Sequence, residues 1–119
     1  MRSARASFGV CAFLLLAARG EAGEPSHALI PQFENDQVRV WKTVLEPGER
    51  LGMHRHDHGR VVVPLGSGTL VIPQQNGSSH KLVLEAGKAY WLDADPPHEL
   101  HGDYNPSKQR LELMVIEMK

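Results

Sequence analysis

The sequence predicts an all-β domain, an antiparallel sandwich or barrel. Short apolar stretches recur at a spacing of about eight to twelve residues, and Gly, Pro and Asn turn residues separate them. No stretch after residue 23 shows a helical period or a capped helix of ordinary length.

The chain opens with an address rather than a fold. Arg2 and Arg5 precede an apolar run from Val10 to Ala18, too short to span a bilayer comfortably, and small residues follow at Gly20 and Ala22. This predicts a signal peptide over 1–22 and an exported protein, periplasmic or secreted; an anchor left in place is the alternative. Cys11 lies in the apolar run, so the mature chain has no cysteine and its stability must come from a core. Residues 23–36 read as an N-terminal arm and 37–119 as one domain, small enough that a homodimer is expected.

Val38 to Leu45 forms the first predicted strand, ended by Glu46-Pro47-Gly48-Glu49, where proline presets φ and glycine follows it. Arg60 to Leu65 is nearly all β-branched and apolar, as in a strand buried on both faces, and Gly66-Ser67-Gly68 stops it. Asn76-Gly77 marks a hairpin between Thr69–Pro73 and His80–Leu84. Asn76-Gly77-Ser78 is formally also a glycosylation acceptor, but the turn reading is preferred. Ala89 to Leu92 comes next, then a corner at Asp93-Ala94-Asp95-Pro96-Pro97, then a strand from His98 to His101. Gln109 to Met118 closes the chain, alternating around Leu111, Leu113 and Val115.

Charge narrows the partners. Removing residues 1–22 takes away Arg2, Arg5, Arg19 and Glu21, leaving ten basic against thirteen acidic side chains. A mildly acidic surface with no basic block gives nucleic acid or anionic lipid little to hold, so the expected partner is a small molecule. After cleavage no membrane partner is expected.

The histidines carry the chemistry. Alternate strand residues share a face, so His54 and His56 can aim two imidazoles at one point, and a neighbouring strand can bring His98 to it. His58 has the same parity and is a possible fourth ligand, although Asp57-His58-Gly59 also reads as a solvated hairpin tip. His101 is placed by alternation on the face opposite His98, and His27 and His80 read as surface residues.

These residues resemble the cupin family. Its first motif, G-x5-H-x-H-x(3,4)-E-x6-G, is matched by Gly48, His54, His56 and Gly68; its second, G-x5-P-x-G-x2-H-x3-N, is matched in spacing by Gly87 and His98. The motif glutamate falls on Val61 or Arg60, Asp93 and Asp95 stand where proline and glycine are expected, and Gly102 stands where asparagine would be. The resemblance covers roughly residues 37 to 118 and implies an antiparallel double-stranded β-helix, or jelly-roll barrel. It also implies a divalent metal, Fe, Mn, Ni, Cu or Zn, on His54, His56 and His98, and it allows dioxygenase chemistry.

Three neutral imidazoles without the glutamate leave positions open on an ion of undiminished charge, which favours an anionic oxygen ligand. Arg60 reads as an outward charge at a strand start, with a carboxylate clamp near the metal as the other reading. Asp93 and Asp95 suit either the turn or an imidazole N–H. Tyr90, Trp91, Glu99 and Tyr104 are the remaining nearby polar or aromatic candidates, and Met53, Val61, Val63 and Met114 could wall a pocket. Three function classes follow: a mononuclear metal-dependent oxygenase, lyase or isomerase acting on a small anionic molecule; a non-catalytic metal- or ligand-binding barrel; and a dimeric structural or interaction barrel.

Overall fold

Turns in this chain do more than reverse it; most of them hand it from one sheet to another. The computed structural model describes residues 29–119, so the expected signal peptide, residues 23–28 of the arm, and His27 lie outside the described residues. Nine strands run through the rest: β1 (Leu29–Glu34), β2 (Val38–Leu45), β3 (Arg50–His54), β4 (Arg60–Pro64), β5 (Gly68–Pro73), β6 (Ser79–Leu84), β7 (Tyr90–Leu92), β8 (His101–Tyr104) and β9 (Leu111–Met118). They form a five-stranded sheet, β1-β2-β9-β4-β7, and a four-stranded sheet, β3-β8-β5-β6. Every pairing is antiparallel, as the sequence predicts. From β2 to β5 and again from β6 to β9, each connection crosses between the sheets. That double crossing is the double-stranded β-helix.

Local chemistry makes the crossings. Pro47 and Gly48 occupy the centre of a turn closed by Glu49 N–H to Glu46 C=O at 2.9 Å, and Gly48 takes φ 77°, which a β-carbon would resist. At the β5–β6 hairpin Gly77 alone has positive φ, while Asn76 uses its side-chain oxygen to accept from the Ser78 N–H at 2.9 Å. Asn76 therefore supports the turn as a local acceptor and leaves the left-handed position to glycine.

Strand alternation fills the space between the sheets. Leu45, Val62, Leu70, Leu84, Leu111, Leu113 and Val115 form the core, so β9 buries the residues its sequence pattern marked. In β4 the inward set is Arg60, Val62 and Pro64, while Val61 and Val63 are only half buried. This corrects two expectations: Val61 and Val63 do not wall the pocket, and Arg60 is not an outward charge. A run of three valines conceals its own parity, because hydropathy cannot say which alternate set faces in. Two boundaries differ from expectation by more than two residues. Within the segment read as an arm, Leu29–Glu34 pairs with β2, and the strand expected from His98 begins only at His101.

Asn105, after β8, joins both sheets at the end of the barrel. It is fully buried; its Nδ2 donates to the Leu45 and Gln109 carbonyls at 2.9 and 2.8 Å, and its own carbonyl accepts from Gly48 N–H at 2.8 Å. Asn105→Ala takes the amide donor from the Leu45 carbonyl in a buried position, a loss of about 1–3 kcal/mol, whereas the Gln109 carbonyl keeps Ser107 Oγ at 2.9 Å. The expected outcome is a destabilisation of about 2 kcal/mol, read as a lower midpoint in urea unfolding with an unchanged slope.

Candidate metal centre

His54 ends β3 and sits directly opposite His101 on β8. Opposed residues of an antiparallel pair hold their side chains close, and the two rings lie 4.5 Å apart between centroids. His56 falls just past the end of β3, with its ring 5.1 Å from His54 and 5.4 Å from His101. One ring nitrogen from each of His54, His56 and His101 lies within 4.8 Å of the other two. His101 is thus the third member of the group, in the place expected for His98.

The reason lies in the corner. Pro97 and His98 are the central residues of a turn closed by Glu99 N–H to Pro96 C=O at 3.2 Å, and His98 adopts φ 65°. Proline presets φ at the first central position and His98 takes the positive φ of the second, so His98 is taken up by the turn and is exposed. His58 is exposed at the tip of the β3–β4 loop and is not in the group. The signal for His101 was present: His101 and Asn105 reproduce the H-x3-N end of the second motif, with three more residues after Gly87 than that motif allows. Anchoring on Gly87 selected His98 and put Gly102 where Asn105 belongs.

Each imidazole is oriented through Nδ1. His54 Nδ1 lies 2.8 Å from the Gly52 carbonyl, His56 Nδ1 2.6 Å from Glu117 Oε2, and His101 Nδ1 3.1 Å from Asp95 Oδ2. Three acceptors on Nδ1 fix three tautomers with a bare Nε2, the nitrogen through which a metal would be held. Trp41 stacks on His56 with the ring planes 6° apart. Burial pushes the His56 and His101 imidazoles below their ordinary pKa, against the pull of the neighbouring carboxylates. The neutral forms a metal requires are therefore favoured.

Asp95 also fastens the loops together. Its carboxylate accepts the His56 N–H at 2.6 Å and its own N–H donates to the His56 carbonyl at 2.9 Å, while Arg55 reaches the Pro96 carbonyl at 2.6 Å. Asp93 instead accepts the Trp91 indole N–H at 2.7 Å.

The group opens on a cavity of about 290 Å³ between the sheets, bordered by Trp41, Leu51, Val62, Leu70, Leu92, Leu113 and Val115. His54, His56, Arg60 and Asp103 supply its ionisable lining. Asp103 Oδ2 lies 3.4 Å from His54 Nε2, and burial raises the pKa of its carboxyl. Asp103 shares the face of His101 on β8 but lies beyond the strand expected from His98 to His101. Of Tyr90, Trp91, Glu99, Tyr104 and Arg60, only Arg60 borders the cavity. Tyr90 accepts the Glu85 N–H through its hydroxyl, and Tyr104 lies under the Arg50 guanidinium. Met53 is half exposed, and Met114 faces a groove on the other side of the sheet.

Asp95→Ala leaves the His56 N–H and the His101 Nδ1–H without acceptors. At about 1–3 kcal/mol for an orphaned buried donor, the expected loss is about 2 kcal/mol of folding stability, measured by chemical denaturation.

No family model matches the chain. It is 35% identical over 98 residues, 82% of this chain and 99% of the relative, to the beta-alanine degradation protein BauB of Pseudomonas aeruginosa. A solved cupin domain from Bordetella pertussis Tohama I superposes with a TM-score of 0.67 and 32% identity, covering 77% of this chain and 94% of that one. An RmlC-like cupin family protein with a double-stranded β-helix fold, from Methanocaldococcus jannaschii, shares the fold alone at 13% identity and a TM-score of 0.60, covering 92% and 93%.

Proposed function

Because the chain belongs to the cupin family, we propose that it is a mononuclear divalent-metal enzyme acting on a small anionic molecule, with His54, His56 and His101 holding the ion. The observation that carries this reading is the set of three imidazoles that gather one ring nitrogen each within 4.8 Å of the other two, while every Nδ1 is engaged by an acceptor. The donor set fits. With Nδ1–H directed at Gly52, His54 presents a lone pair from Nε2 toward the Asp103 carboxylate 3.4 Å away, and a cation relieves that opposition of two acceptors. When bound, such an ion supplies Lewis acidity and open coordination positions. The residues would hold it, favour the neutral forms of His56 and His101 and line an apolar chamber that limits water.

Support for a degradative role comes from the relative, whose name places it in the breakdown of beta-alanine, a short carboxylate. A bound Lewis acid that takes an anionic oxygen ligand would serve oxygenation, lyase or isomerase chemistry alike. Imidazole suits Fe, Mn, Ni, Cu and Zn alike, so the reading commits to a divalent ion rather than to one element.

The test is metal content per chain after re-supply with Fe(II), Mn(II), Ni(II), Cu(II) and Zn(II) in turn. The wild type and His98→Ala are expected to hold one equivalent, and His101→Ala to lose it. Stoichiometric metal in His101→Ala, or none in the wild type under any condition, defeats the reading.

Export is part of the proposal, supported by Arg2, Arg5, the run Val10–Ala18 and the small residues Gly20 and Ala22. The intact mass of protein recovered after expression with its own N-terminus is expected to correspond to a chain starting at Gly23; retention of residues 1–22 would count against it.

A further inference from the structure

Arg60 stands at one of the two positions where the family motif calls for a glutamate, and its side chain is turned into the cavity with 6% of the residue exposed. A buried guanidinium carries five N–H donors and a permanent charge, and both need partners. Three carboxylates are close enough to act on it, but among the described residues none forms an ion pair with it: Asp95 takes the His101 ring at 3.1 Å, Glu117 takes the His56 ring at 2.6 Å, and Asp103 faces His54 Nε2 at 3.4 Å. Among the described residues the hydrogen bond of Arg60 is to the Asp93 carbonyl, at 3.3 Å. Burial accordingly lowers its pKa. A charge held in this way, on the wall of a chamber that also contains His54 and His56, has donors left to offer a ligand.

We propose that Arg60 anchors the carboxylate of a small ligand with a short apolar body, whose other end faces the histidine group. The fork of a guanidinium matches a carboxylate in two parallel hydrogen bonds, and exclusion of water strengthens them. Apolar walls select against a strongly hydrated inorganic anion, and a cavity of about 290 Å³ admits a molecule of only a few carbons. The role assigned to the histidine end rests on the metal reading above; the arginine anchor does not.

Isothermal calorimetry on the full protein, with and without added Zn(II), tests this using butanoate, butanamide and inorganic phosphate. Butanoate is expected to bind the wild type, with butanamide at least tenfold weaker. Arg60→Gln is expected to lose about 10- to 100-fold in butanoate affinity, the range for a charge-assisted hydrogen bond, with Arg60→Lys recovering part of it. Zinc content measured on the same samples should be equal in all three proteins. The proposal is overturned if Arg60→Gln binds butanoate as the wild type does, if the amide binds as tightly as the acid, if phosphate outcompetes butanoate, or if butanoate fails to bind at all. The acid–amide comparison needs no variant to fold. Arginine-dependent binding in a protein that takes up none of Fe(II), Mn(II), Ni(II), Cu(II) and Zn(II) supports the anchor while removing the metal reading; metal uptake with arginine-independent binding does the reverse.

Discussion

The carboxylate of Asp95 is the contact on which the histidine group depends. It accepts from the backbone of one member, His56, and from the ring of another, His101, while its own N–H closes back on the His56 carbonyl. The β3–β4 and β7–β8 loops would otherwise be independent segments on different strands. Joined this way, and braced by Arg55 on the carbonyls of residues 95 and 96, they are fastened to each other. Long-range order at the site therefore comes from loop-to-loop bonding as much as from strand pairing.

Around that clasp the charges are arranged by pairing rather than by number. Glu117 and Asp95 each orient one imidazole through Nδ1 and Asp103 faces the third, His54, while the basic side chain among them, Arg60, is left to a carbonyl. Burial works in the same direction on every imidazole it shifts, favouring the uncharged form. The chamber combines neutral nitrogen donors, a fixed cation and apolar walls.

Most of the fold could be read from the sequence because its determinants are local. Pro47-Gly48, Asn76-Gly77 and the alternation of Leu111, Leu113 and Val115 each specify structure within a few residues. His54 and His56 could be found for the same reason. His101 could not be found by counting from Gly87, because the corner before it is longer than the motif and Pro96-Pro97 consumes His98 in a turn. Arg60 was misread because Val61-Val62-Val63 satisfies either register, and only the pairing of β4 with β7 and β9 decides which side is inside. Asp103 has no spacing signature; it matters through its nearness to His54, a residue far away in sequence.

The opposition of His54 and His101 across β3 and β8 has a thermodynamic consequence. The two strands lie in different halves of the chain, and their residues meet only when the β-helix is closed. An unfolded chain offers no such convergence, so any ion or ligand taken up there binds the native state almost alone. Binding would then raise the resistance of the whole barrel to unfolding by mass action, by about 2.7 kcal/mol at a hundredfold excess over the dissociation constant. For a domain this small, with no cysteine after residue 11, occupancy of the site would thus regulate how long the protein survives as well as what it does.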